Sequence, residues 1–150
     1  SNFSRGDGGY QSLLVNDTPL APMICYEVVY PDFVAAGSRQ ADALITISND
    51  AWFGSSIGPH QHFQMARFRA LEMAKPLLRG TNNGITAFID HKGTVVSSLP
   101  QFERGVLTGS LSTRAGLTPF ARVGSLPTLI LVAILLFLGL IARRDHLATG

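Results

Sequence analysis

Cysteine is almost missing from this chain: its 150 residues contain one, Cys25. A lone cysteine cannot close an intrachain disulfide. No second Cys and no third His stands near His60 and His62 to complete a zinc set. The two histidines are two positions apart, which on a helix turns them toward different faces. No metal and no other cofactor is expected. Charge is also sparse. The formal balance is +2, and Arg67, Arg69 and Lys75 are interspersed with Ala, Leu and Met. Without the dense basic patch that phosphate backbones require, a nucleic acid partner is excluded. There is no internal repeat or low-complexity linker. Residues 1–8 contain neither an initiating Met nor a charged-then-apolar export signal, so the chain is read as the C-terminal piece of a longer protein.

One apolar run does stand out. Between Arg122 and Arg143 lie 20 uncharged positions, about 30 Å if helical, which matches a bilayer's hydrocarbon core. Its densest part, 129–138, is apolar on every face, unlike a helix lying on a surface. Pro127 is tolerable in a first turn. The expectation is a final transmembrane helix over 126–142, preceded by a connector at 120–125 and followed by a cytoplasmic tail at 143–150. Arg143 and Arg144 set that orientation by the positive-inside tendency. The polar part then faces the periplasm from a bacterial inner membrane.

The polar part alternates strand and helix patterns. Residues 10–15 predict a strand ending at Asn16-Asp17. A short strand over 22–24 delivers Cys25 at its end, and a helix follows over 31–39. Residues 42–48 form an apolar, β-branched run suited to a buried strand, with Asn49-Asp50 at its polar end. Phe63, Ala66, Ala70, Leu71 and Ala74 share the spacing of one helical face over 58–75, stopped by Pro76. Strands at 77–79 and 85–90 flank the turn 81–84, where Asn83-Gly84 supplies left-handed conformations. A hairpin pairs 87–90 with 95–99, and a last strand is expected at 105–110. This interleaving predicts a layered α/β domain.

A free cysteine is most often a small buried hydrophobe. Cys25, however, ends an apolar strand, is followed by Tyr26 and Glu27, and precedes a new helix. Such a junction exposes a sulfur and aligns backbone N–H groups toward an incoming carbonyl oxygen. A thiol there can form a covalent acyl intermediate if a base or cation raises its thiolate fraction. Glu27 shares a face with Cys25 only in extended backbone. His60, His62 and Glu72 qualify only if the fold brings them close. A Cys–His pairing is not expected, because both histidines sit at a helix start with no evident orienting acid.

Several blocks together carry a specific likeness. They are Cys25-Tyr26-Glu27, Ile47-Ser48-Asn49-Asp50-Ala51-Trp52-Phe53-Gly54, Gly58-Pro59, Gln61-His62-Phe63-Gln64-Met65-Ala66-Arg67 and Arg69-Ala70-Leu71-Glu72. Arg79, Thr81-Asn82-Asn83-Gly84-Ile85-Thr86 and Gly116-Leu117-Thr118-Pro119 continue the series. In this order they resemble the nitrilase-like domain of the apolipoprotein N-acyltransferase family. The resemblance implies that residues 1–119 are the C-terminal part of a periplasmic four-layer α-β-β-α domain. It also implies a Glu-Lys-Cys catalytic set of which Cys25 alone is present, the Glu and Lys lying upstream in the same enzyme, so that the separated chain is inactive. Lys75 and Lys92 are not substitutes.

The implied chemistry is transfer of a fatty acyl chain from a glycerophospholipid donor to the N-terminal amine of a diacylglyceryl-cysteine lipoprotein through a Cys25 thioester, at a membrane. In that setting Tyr26 offers its backbone N–H to the carbonyl, and Glu27 orients the amine or a Lys, unless it is merely a turn carboxylate accepting backbone hydrogen bonds. Asn49 and Asp50 fix the pocket loop. Trp52 and Phe53 form an apolar lid or lipid contact, and Gly54 lets that loop turn closely. Arg67, Arg69 and Glu72 read as helix-positioning ion pairs. The alternative activity is a membrane-tethered nitrilase-like amidase.

Overall fold

The computed structural model describes residues 10–148, with side chains through residue 141. Six strands form one sheet in chain order: β1 (Leu13–Val15), β2 (Thr18–Ile24), β3 (Ala43–Asn49), β4 (Leu77–Asn82), β5 (Thr86–Ile89) and β6 (Val95–Leu99). β2, β3 and β4 run parallel, and the other neighbours are antiparallel. Parallel neighbours need crossover connections. These are α1 (Pro31–Ser38) and α2 (Gly58–Met73), each begun by a proline in its first turn, where the missing N–H costs nothing.

Both helices cover the same face of the sheet. Ala21, Met23, Leu44, Leu77, Ala87 and Ile89 from the strands meet Val34, Ala35, Ala66, Ala70 and Met73 from the helices in one buried cluster. The opposite face follows from the two-residue period of a strand. Ile24 and Ile47 are register partners on that face, and they remain 71% and 65% exposed. The described residues therefore build two layers, one sheet and its helices, of the four that the resemblance implies.

Two of the expected elements are corrected. No strand forms at 105–110: β6 is the last strand, and this glycine-interrupted stretch runs without ladder bonds. The transmembrane helix is corrected too, because among the described residues no helix is long and apolar enough to cross a membrane. The apolar run does not form a single helix. Val123 ends α3 (Pro119–Val123), and Gly124 turns the chain with φ 64°. The Ser125 N–H then donates to Asp32 Oδ1 at 2.7 Å, and α4 (Leu126–Ala148) starts afresh. Only 17 uncharged residues, 126–142, precede Arg143 within it. They span about 25 Å, the low end of what a roughly 30 Å hydrocarbon core requires. The assignment to the inner membrane, with a periplasmic catalytic domain and a cytoplasmic tail, rested on that span and falls with it.

The stretch after β6 is tied back to the helical layer. Lys75 is buried, and its Nζ donates to the carbonyls of Arg114 (2.9 Å) and Gly116 (3.0 Å). Thr118 Oγ1 donates to the Glu72 carbonyl at 2.6 Å, and Arg39 reaches the carbonyls of Ala121 and Arg122. Burial pulls the Lys75 ammonium below its ordinary pKa, with Asp42 opposing. Lys75→Met is expected to cost about 1–3 kcal/mol, because two carbonyls lose charge-assisted donors. Urea denaturation measures the loss, and faster amide exchange confined to 111–118 locates it.

Candidate active site

The parallel strands β2 and β3 end side by side, and the residues just past their ends make the site. β2 delivers Cys25 into a short 3-10 helix, Cys25–Val29, with φ 53° at the cysteine. That left-handed conformation costs a non-glycine residue roughly 1–2 kcal/mol and persists only where the surroundings hold it. Cys25 is half-buried. On the far side of the turn Glu27 Oε2 accepts the Ile24 N–H at 2.6 Å, the return half of a capping box. Its carboxylate is thus committed to the backbone. Together with burial, which is the larger cause, it pushes the neighbouring Tyr10 phenol up to about 12.

β3 ends in a second 3-10 turn, Asp50–Phe53. Asn49 Oδ1 accepts from the Ala51 N–H and from Asn82 Nδ2, both at 3.2 Å, so it staples this turn to the neighbouring strand end. Gly54 closes the turn at φ 52°. Gln101 Nε2 donates to the carbonyls of Gly54 (3.0 Å) and Asn83 (3.1 Å). Trp52 projects outward, 87% exposed, while the Phe53 ring lies 6.5 Å from the His62 ring.

Asp50 is fully buried and organises everything beneath the cysteine. Its Oδ1 accepts from Ser48 Oγ at 2.6 Å and lies 3.0 Å from His62 Nδ1. Its Oδ2 accepts from Arg79 Nη2 at 2.7 Å. Ser48 Oγ in turn lies 3.6 Å from Cys25 Sγ, and His62 Nε2 lies 3.2 Å from the Cys25 carbonyl oxygen. Arg79 Nε donates to the Ile85 carbonyl, and Nη1 has no protein partner. Burial lowers the Arg79 pKa, while Asp50 and, further off, a charged Cys25 act to raise it. Gly84 permits this packing: a Cβ there would collide with Asp50 Oδ2.

Of the residues singled out from sequence, Cys25, Tyr26, Glu27, Asn49 and Asp50 gather at the ends of β2 and β3, and Trp52, Phe53 and Gly54 rim them. His62 lies against Cys25 after all, and its orienting acid is Asp50. It touches the backbone oxygen rather than the sulfur, so no Cys–His pair forms. Arg69 and Glu72 pair at 3.0 Å. Arg67 instead donates to the Gly93 carbonyl and to Gln64. Ser48, Arg79 and Gln101 carry contacts that the sequence reading assigned to none of them. Arg79 offered a usable clue, since an arginine inside the apolar strand pattern Leu77-Leu78-Arg79 demands a buried counter-charge.

The sequence profile of the carbon-nitrogen hydrolase family matches residues 1–119. The chain belongs to the carbon-nitrogen hydrolase family. Within it, the likeness to apolipoprotein N-acyltransferases is borne out. The chain is 48% identical to the apolipoprotein N-acyltransferase of Vibrio vulnificus over 96% of its length, and 50% identical to that of Azotobacter vinelandii over 99%. It spans 29% of the length of each. Among solved structures, a carbon-nitrogen hydrolase from Helicobacter pylori superposes with TM-score 0.60 at 16% identity, over 68% of this chain and 43% of that one. An amidase from Nesterenkonia sp. AN1, solved with the acetamide moiety of fluoroacetamide added covalently at its active site cysteine, gives 0.52 at 19% identity, over 66% and 40%. These two share the family's fold.

Proposed function

We propose that the protein containing this chain matures lipoproteins by acyl transfer, with Cys25 as the nucleophile. The Cys25 thiolate attacks the ester carbonyl of a glycerophospholipid. The C–S bond forms, the ester C–O bond breaks, and the lysophospholipid leaves as the protonated alcohol. The amine of a diacylglyceryl-cysteine N-terminus then attacks the thioester. A C–N bond replaces C–S, the amine gives up a proton, and the thiolate is regenerated. A covalent acyl group lets one lipid leave before the next arrives.

The observation that carries this reading is the half-buried Cys25 held in a left-handed turn at the strand ends, in a chain about half identical to named apolipoprotein N-acyltransferases. In this reading the Tyr26 N–H polarises the carbonyl, and Asn49 and Asp50 hold the loop that bears Trp52, Phe53 and Gly54 against the acyl chains. The general base and the stabilising cation are a Glu and a Lys outside these 150 residues, so the separated chain turns nothing over.

The test uses the whole enzyme in mixed detergent–phospholipid micelles. The Cys25 peptide is expected to gain one acyl mass that hydroxylamine removes, and a synthetic diacylated lipopeptide should collect that acyl group as an amide. Absence of both products overturns the proposal. Release of ammonia and carboxylate from small amides, with the lipopeptide untouched, would establish the amidase instead.

A further inference from the structure

We propose that His62 is a positioning residue that sets the direction of the Cys25–Tyr26 peptide, and with it the Tyr26 N–H that meets the developing oxyanion. The inference rests on Cys25 being the nucleophile. A carbonyl oxygen can only accept, so the His62 nitrogen 3.2 Å from the Cys25 oxygen carries a proton and donates it. A trans peptide is planar, so its C=O and N–H point in opposite directions. Holding the Cys25 oxygen therefore aims the Tyr26 N–H the other way. That N–H lies in the first turn of its 3-10 helix, where N–H groups have no intrahelical acceptor.

The imidazole itself has little freedom. It is 3% exposed, lies between the rings of Tyr26 and Phe53 at 6.1 and 6.5 Å, and its Nδ1 faces Asp50 Oδ1 at 3.0 Å and Arg79 Nη2 at 3.2 Å. The Asp50 oxygen that fixes this ring also accepts from Ser48, the hydroxyl beside the sulfur. One carboxylate oxygen thus references both the thiol and the peptide plane that follows it. Such preorganisation matters only when charge develops on a carbonyl oxygen.

Two reactions of the same sulfur separate this role from a structural one. Acylation by phospholipid builds an oxyanion. Alkylation by iodoacetamide, in which C–S forms as iodide leaves, builds none. In the whole enzyme, His62→Asn places an amide where Nδ1 was and cannot reach the Cys25 oxygen, whereas the longer His62→Gln can put its amide nitrogen in the place of Nε2. His62→Asn is expected to slow Cys25 acylation about 10²-fold while changing alkylation by less than about threefold, and His62→Gln to recover most of the acylation rate. His62→Met, which lacks a donor, serves the same comparison if the Asn variant fails to fold. Equal acylation rates in the Gln and donor-poor variants, or alkylation falling in step with acylation, would overturn the positioning role while leaving the nucleophile in place. A wild-type enzyme that forms no acyl-Cys25 would overturn both.

Discussion

Asp50→Ala is expected to remove about 3–5 kcal/mol of stability, the usual cost of stranding a buried charge. Two groups lose their acceptor at once, Arg79 Nη2 and Ser48 Oγ, and the His62 ring loses the carboxylate 3.0 Å from its Nδ1. Arg79 suffers most. It is 2% exposed, its Nη1 already has no protein partner, and only the Ile85 carbonyl and the His62 ring, 3.2 Å from Nη2, would remain to it. Urea denaturation should show the loss as a lower midpoint at unchanged slope. In an Arg79→Met background the same substitution should cost about 1–3 kcal/mol less, since the stranded cation is gone. Equal costs in the two backgrounds would show that the carboxylate and guanidinium do not depend on each other.

Cys25→Gly is expected to abolish acyl transfer, a loss on the order of 10³-fold or more for removal of a nucleophile, while leaving the protein more stable than Cys25→Ala. Alanine inherits the strained backbone at φ 53°. Glycine does not, and after its greater unfolded-state entropy is subtracted the advantage is about 1 kcal/mol. Thermal melts of the two variants, with lipopeptide acylation assayed beside them, give both halves of the result. If glycine proves the less stable of the pair, the turn is not strained and the site does not hold residue 25 against its preference.

Much of the sheet was legible because local rules agreed there. The spacing of Phe63, Ala66 and Ala70 with Pro76 beyond marked α2 to within two residues of its end, and the 87–90/95–99 hairpin followed from its turn. β2 proved longer than 22–24 because Pro19 and Pro22 read as breaks. Yet β1 pairs only with Thr18, Pro19 and Leu20, so beyond them β2 is an edge where a missing N–H is tolerable. The apolar run ending at Ala142 was read to the right helix start, since α4 begins at Leu126 where a helix over 126–142 was expected, but among the described residues no helix is long and apolar enough to cross a membrane. In the site, the residues adjacent to Cys25 and at the end of β3 were legible. His62 and Arg79 were not, because their partner Asp50 lies 12 and 29 positions away; the seat of α2 on the sheet brings His62 to it, and the parallel register of β3 and β4 brings Arg79.

Gly84 has a wider consequence. It sits in the turn joining β4 to β5, which also forms one wall of a cleft of about 500 Å³ facing Pro100, Phe102 and Arg104. No gap separates that turn from the Asp50 carboxylate. A side chain at position 84 would therefore press on Oδ2, the oxygen that Arg79 holds, of the carboxylate whose other oxygen accepts from Ser48 beside the thiol. The cleft wall and the carboxylate beneath the nucleophile are thus neighbours at a distance that only a hydrogen at position 84 allows.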